Sequence, residues 1–271
     1  MSDVVSAVSR NNEPAARTAA VREYGNGAVL GVAVPQANPV VEPEMSALLP
    51  PGFSMLVTRL QGSRSDSGQR LVDYLANLPA SLEAYDTAKL DVLGYACTGS
   101  SYLVGAEAEQ RALDAAAERF GYPIISSAQA LRMALAHLGA RRIAVFAPYP
   151  PFLVEASKHY WKACGLDVVD CASVALDTSD TRDIYSITTP MAMSSFSALR
   201  WQDADAIMFT GTGMPTLRAL VEVSKLTGKP ALSSNLCLAW ALVRAAGGQE
   251  YLAPPGPGET LYGGWANRIP V

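Results

Sequence analysis

The chain has 271 residues, of which 49% are hydrophobic and 17% charged, enough apolar material for one large domain or two ordinary ones and too much for global disorder. Its net charge of −4 comes without a Lys/Arg cluster of the kind that tracks phosphates, so no nucleic acid is expected as a partner. No run approaches the roughly 18 apolar residues of a membrane span, and the polar N-terminus lacks a signal peptide's hydrophobic segment. The expectation is a cytoplasmic globular protein with no membrane partner.

Four cysteines, Cys97, Cys164, Cys171 and Cys237, are scattered without CxxC spacing, which argues against a disulfide framework and a thiolate metal site. His137 and His159 lie in separate helical stretches, so a histidine-dependent metal site or a Cys-His pair is poorly supplied, and both read as surface or packing residues.

Residues 1–26 are polar and alanine-rich without a sustained period and read as an N-terminal arm with no assigned chemistry. Ala28 to Val34 reads as the first strand, running into a proline-flanked loop that carries Asn38. Prolines on both sides stiffen the backbone there; an Asx-turn is the plainer reading of Asn38. Glu42 and Glu44 read as exposed loop carboxylates that could buttress the Asn38 loop. Phe53 to Leu60 is a second strand, Gln61 to Gly68 a polar loop, and Leu71 to Tyr85 a helix.

The segment from Asp91 to Ser101 is an apolar strand that ends in Cys97 and breaks into Thr98, Gly99, Ser100 and Ser101. In open α/β sheets ligands sit beyond the carboxyl ends of such strands, and small hydroxyl and glycine residues suit a carboxylate or an oxyanion. A buried structural cysteine is the competing reading. Glu107 to Phe120 has helical spacing, Tyr122 to Ile125 a strand, and Ser127 to Leu138 a helix.

The second part repeats the scheme: strand Arg142 to Phe146, a helix with Tyr160 and Trp161, strand Leu166 to Val174, a helix near Met191 to Leu199, and strand Asp205 to Thr210 opening onto Gly211, Thr212 and Gly213. Aspartate, apolar strand, then a Gly/Thr/Ser loop before a helix is the pattern around Cys97 again. Alternating strands and helices imply parallel sheets with covering helices. The expected fold is α/β with two related halves, residues 27–138 and 139–232, and a ligand cleft between them. Helix N-termini behind both loops would favour an anion. Residues 233–271 read as a loop at Ser233 entering a C-terminal helix, with Cys237 in the core, and a tail packing back on the first half, everything from Gly247 on being a surface tail.

Several of these segments together resemble a known family. Val34 to Glu44, Tyr95 to Thr98, Ala147 to Tyr149, and Pro230 to Asn235 with Trp240 are similar to the maleate isomerase and arylmalonate decarboxylase branch of the aspartate/glutamate racemase superfamily, over about residues 28–246. The resemblance implies two Rossmann-like parallel-sheet halves related by a pseudo-twofold axis, a site between them, no cofactor and no metal, and a possible homo-oligomer. It makes Cys97 the first-half cysteine, Asn38 the amide that holds a substrate carboxylate and Tyr149 the site tyrosine. Where the family's second cysteine should follow Thr210, this chain has Gly211, and where another asparagine is expected it has Thr181.

Racemisation through two thiols is thereby disfavoured. The leading expectation is a cofactor-independent enzyme acting on a small carboxylate, with Cys97, as a thiolate of lowered pKa, adding to an activated double bond in the manner of a maleate cis-trans isomerase. Thr98, Gly99, Ser100, Gly211, Thr212, Gly213 and Asn235 would bind the substrate. A decarboxylase in which Cys97 donates a proton is the alternative. Hydrolysis through an acyl-cysteine ranks behind both, and a carboxylate-binding protein without catalysis is the reading from a different class.

Overall fold

The computed structural model describes residues 22–64, 66–174, 176 and 178–269; most of the expected arm, residues 1–26, lies outside the described residues. The elements follow in the order β1 (Ala28–Pro35), α1 (Val41–Leu48), β2 (Phe53–Leu60), α2 (Ser67–Ala76), α3 (Leu78–Leu82), β3 (Val92–Tyr95), α4 (Thr98–Val104), α5 (Ala106–Phe120), β4 (Ile124–Ser126) and α6 (Ser127–Leu138). The second set is β5 (Arg142–Phe146), α7 (Pro151–Ala163), β6 (Asp167–Ala172), α8 (Thr189–Phe196), β7 (Ala206–Phe209), α9 (Leu217–Thr227), β8 (Ala231–Ser233) and α10 (Ser234–Ala245).

These strands form two four-stranded parallel sheets, ordered β2-β1-β3-β4 and β6-β5-β7-β8. The orders are the same when each half is counted from its own first strand. The repeat extends to an anchoring detail. Asp91 before β3 accepts from the N–H of Val29 at 2.8 Å, and Asp205 before β7 accepts from the N–H groups of Arg141 and Arg142 at 2.9 and 2.7 Å. Each aspartate thus ties the start of its sheet's central strand pair, the physical content of the repeated Asp-strand-loop pattern.

The central strands β1, β3 and β7 are buried along their whole length, as a parallel sheet covered on both faces requires. The Tyr160-Trp161 pair is core: both rings are buried and pack edge-on with Tyr102 of α4. Local signals set the helix ends, as where Ser126 and Gln129 form a reciprocal capping box at the start of α6.

Four local readings change. Glu42 and Glu44 lie on helix α1, not on a loop, because Asn38 Oδ1 accepts from the N–H groups of Val40 and Val41 at 2.8 and 3.3 Å and starts the helix there. The helix expected over Leu71 to Tyr85 is broken at Asn77 into α2 and α3. The loop expected from Ser233 into the terminal helix is absent: Ser233 closes β8 and Ser234 already opens α10. The tail after Gly247 is not all surface: Tyr262 and Trp265 are buried, the Tyr262 hydroxyl donates to Leu48 O at 2.8 Å, and Arg268 donates to Ala47 O. α10 packs on α6 and against β3 and β4. Cys237 is fully buried within it.

Candidate active site

The carboxyl ends of β1, β3, β5 and β7 converge, and the loops that follow them deliver Asn38, Cys97, Tyr149 and Gly211-Thr212 to a common cavity. Hydrogen bonds cross between the halves. Asn38 Nδ2 donates to Thr212 Oγ1 at 3.2 Å, Thr212 Oγ1 donates to Ala96 O at 2.9 Å, and the hydroxyls of Thr98 and Tyr149 are hydrogen-bonded to each other at 2.7 Å. The Asn38 oxygen makes the Asx-turn, and its amide nitrogen faces the opposite half, where it donates to Thr212. Glu42 steadies the same loop through Arg59, which donates to Glu42 Oε2 at 2.7 Å and to Asn38 O at 3.3 Å.

Cys97 is 4% exposed and sits immediately before α4. The Ser100 hydroxyl lies 3.2 Å from its sulfur, and the N–H groups of Ser100 and Gly99 also favour the thiolate. The expected lowering of the thiol pKa does not follow. Burial pushes the Cys97 thiol up, and the Glu109 carboxylate adds to the rise, outweighing the donors. The resting form is the protonated thiol.

Around this centre the cavity of about 30 Å³ is bordered by Pro35, Thr98, Gly99, Leu153 and Ile184, and by a set absent from the sequence reading: Arg70, Tyr74 and Tyr185. Burial pushes the Tyr74 hydroxyl up to about 12 and the Tyr149 hydroxyl well above its usual range, so both are proton donors at neutral pH. Thr181, standing where the family resemblance expects an asparagine, lines the cavity and accepts from Arg70 at 3.2 Å. Arg70 carried a usable signal. It falls on the buried stripe of α2 with Leu71, Tyr74 and Leu75, where an arginine is out of place unless it has a partner or a ligand.

Three expected binding residues stand back from the cavity wall. Ser100 donates to Leu71 O at 2.5 Å and reaches the site through the Cys97 sulfur. Gly213 underlies Tyr185, where a Cβ would come within 2.5 Å of the ring. Asn235 is turned away, its Nδ2 donating to Glu44 Oε2 at 2.7 Å and to Thr212 O at 3.2 Å. Glu44 itself is buried and accepts from the N–H groups of Thr216 and Leu217 at 2.5 and 3.1 Å. The N-terminus of α9, expected to favour an anionic substrate, is already occupied by this carboxylate from the other half.

Gly211 holds φ at +88°, and a Cβ built on it would lie 3.0 Å from Pro148 Cγ and 3.2 Å from the Tyr149 hydroxyl. Both the backbone and the space favour glycine there. Cys97 thus faces the cavity with no thiol opposite. Among the described residues no group of three or more His, Cys, Asp or Glu is placed to hold a metal ion, and no helix is long and apolar enough to cross a membrane.

Comparison with known proteins agrees with this geometry. The chain is 28% identical over 249 residues to a maleate isomerase of Pseudomonas putida, covering 87% of this chain and 98% of that one. It is 27% identical over 229 residues to the arylmalonate decarboxylase of Bordetella bronchiseptica, covering 83% and 93%. Among solved structures, a Cys-to-Ser mutant of the Nocardia farcinica maleate cis-trans isomerase with a covalently bound succinylcysteine intermediate superposes with a TM-score of 0.72 at 26% identity, over 80% of this chain and 92% of that one. The maleate isomerase of Pseudomonas putida S16 with maleate, in a Cys-to-Ala form, gives 0.74 at 26% identity, over 86% and 96%. The sequence model of the arylmalonate decarboxylase family matches residues 30–258. The chain belongs to the arylmalonate decarboxylase family, in the maleate isomerase and arylmalonate decarboxylase branch of the aspartate/glutamate racemase superfamily.

Proposed function

We propose that this protein is a cofactor-independent cis-trans isomerase of a short unsaturated dicarboxylate of the maleate type, with Cys97 as its single reacting thiol. One observation carries the reading: Cys97 lies buried at the end of β3, bordering the same cavity as the Asn38 and Tyr149 side chains, and faces Gly211. A succinylcysteine intermediate stands in an isomerase variant from which one cysteine has been removed. In that protein the removed cysteine is therefore not needed for the adduct.

The chemistry follows from the resting thiol. Sulfur bonds to one alkene carbon while the thiol proton passes to the other, directly or through the substrate's own carboxylate, giving a succinyl thioether. The former double bond is now single and turns. Elimination then returns the proton to sulfur, breaks the C–S bond and releases the trans isomer. Nothing is oxidised or reduced, and no co-reactant is needed. Asn38 Nδ2 and the Thr98, Tyr149 and Thr212 hydroxyls would hold the carboxylates. A donor aimed at the charge that develops as sulfur adds is worth roughly 2.7–4 kcal/mol. The four cysteines are free, which suits a reducing compartment such as the cytoplasm.

The raised thiol pKa of Cys97 favours a second reading, decarboxylation of a malonate. Carbon dioxide leaves with its bonding pair left on an enediolate, and the Cys97 thiol protonates that carbon. The two separate by experiment. With maleate, proton NMR should record fumarate, and acid quenching should yield a Cys97 peptide heavier by one substrate. Phenylacetate from phenylmalonate without any adduct would replace the isomerase reading by the lyase, and unchanged turnover by Cys97→Ser would overturn both.

A further inference from the structure

The cavity beside Cys97, about 30 Å³, holds one or two waters. A four-carbon dicarboxylate has eight heavy atoms, so it enters only when a wall parts and brings two negative charges toward a buried thiol. Among the residues that border the cavity, Arg70 is the cation, and it is 2% exposed. Its Nη2 donates to Asp180 Oδ1 at 2.6 Å, Ser67 Oγ at 2.8 Å and Thr181 Oγ1 at 3.2 Å, three acceptors for the two protons it carries.

Asp180 has a second and fuller partner. Arg182 Nε lies 2.9 Å from Oδ2 and 3.1 Å from Oδ1, its Nη2 2.5 Å from Oδ2, and its N–H 2.9 Å from Oδ1. Two guanidinium groups thus share one carboxylate. Arg182 takes it side-on with both nitrogens, the stronger geometry, and Arg70 takes it end-on. Asp180 can release Arg70 and keep its charge paired.

We propose that Arg70 is a substrate-binding residue that exchanges the Asp180 carboxylate for one carboxylate of the substrate, making the site selective for dicarboxylates over their monoesters. The inference rests on the reading of the cleft as a dicarboxylate site. The exchange also frees the segment bearing Thr181, Ile184 and Tyr185, which covers the cavity from the second half and is joined to α2 through Asp180 and through the Thr181 N–H to Ser67 Oγ bond at 3.2 Å. It places a positive charge beside the substrate carboxylates in a cavity that, among the described residues, has no other cation on its border.

Protection of Cys97 from iodoacetamide, read by peptide mass spectrometry, tests this without turnover. In the wild-type chain succinate should protect at a lower concentration than monomethyl succinate. Arg70→Gln should raise the half-protecting concentration of succinate about 10- to 100-fold, the worth of one lost charge-assisted bond, and leave the monoester within about twofold, with Arg70→Lys between the two. Asp180→Asn, which removes the competitor and keeps Arg70, should lower the concentration of succinate required. Equal loosening of succinate and monoester in Arg70→Gln, or weaker succinate protection in Asp180→Asn, overturns the proposal and leaves the isomerase reading standing. Absence of succinate protection in the wild-type chain overturns both. If Arg70→Gln does not fold, Asp180→Asn alone decides.

Discussion

Gly211 is where this chain departs from a two-thiol site, and its geometry makes a quantitative claim. Gly211→Ala keeps the backbone at φ +88°, a conformation costing a residue with a Cβ about 1–3 kcal/mol. The new methyl meets Pro148 Cγ at 3.0 Å and the Tyr149 hydroxyl at 3.2 Å, which adds about 1 kcal/mol of crowding. The unfolded chain becomes stiffer, which returns about 0.4–1 kcal/mol. The net loss is about 2 kcal/mol, or a fall of roughly 3–4 °C in Tm for a chain of this size. Differential scanning calorimetry reads it directly. The same methyl pushes Tyr149 off Thr98, so turnover should fall by at least tenfold, and Gly211→Cys should lose at least as much stability without gaining the racemisation that a second thiol would otherwise permit. A Gly211→Ala protein within about 0.5 kcal/mol of wild type, or a fully active Gly211→Cys racemase, would refute the assignment of this position as one that tolerates only glycine.

Alkylation of Cys97 should rise only above its ordinary pKa of 9.0, because burial disfavours the thiolate. Glu109→Gln removes a like charge and should move the rate-pH profile downward, speeding alkylation at pH 8. Glu44→Ala leaves the N–H groups of Thr216 and Leu217 and the Asn235 amide without their acceptor and should lower the unfolding free energy by about 3 kcal/mol in a urea titration. Burial raises the Glu44 carboxyl above 4.5, so its contribution to stability is complete below that pH and is lost as pH climbs through the raised value. The uncharged Glu44→Gln should remove that slope. Asn38→Ala removes the donor to Thr212 and the acceptor that starts α1 and should cut kcat/KM about 100-fold with a smaller loss of stability.

Regular elements were legible where a single face or a punctuating residue decides them. The strands Ala28–Pro35 and Arg142–Phe146 are legible to within a residue because buried parallel strands are continuous apolar runs. The two-half architecture was legible in Asp91 and Asp205, because each aspartate before a strand had a backbone job. What escaped was polar burial across the halves. Glu44 looked like a solvated loop carboxylate because its donors, Thr216, Leu217 and Asn235, lie more than 170 positions away in the chain. Asn235 looks free to meet a substrate for the complementary reason: its partner, Glu44, is equally distant in the chain. The thiol pKa is hidden likewise, since the sequence displays the Gly99 and Ser100 donors beside Cys97 but not the depth at which the thiol is buried.

The same cross-half bonds also bear on how a one-thiol site can isomerise. If one sulfur adds and leaves from one face, the substrate must turn about its central bond while it remains attached. One carboxylate must then stay fixed and the other must be free to move. The bonds from Asn38 to Thr212, Thr212 to Ala96 and Thr98 to Tyr149 tie together the segments just beyond the central strands of both halves and make a wall suited to the fixed end. The opposite wall, bearing Thr181 and Tyr185, is joined to α2 through an ion pair that has a second cation to fall back on. A site with a rigid side and an exchangeable side can let one end of a tethered substrate swing. A site with a thiol on each face, moving a proton across a fixed carbon, would have no use for the difference.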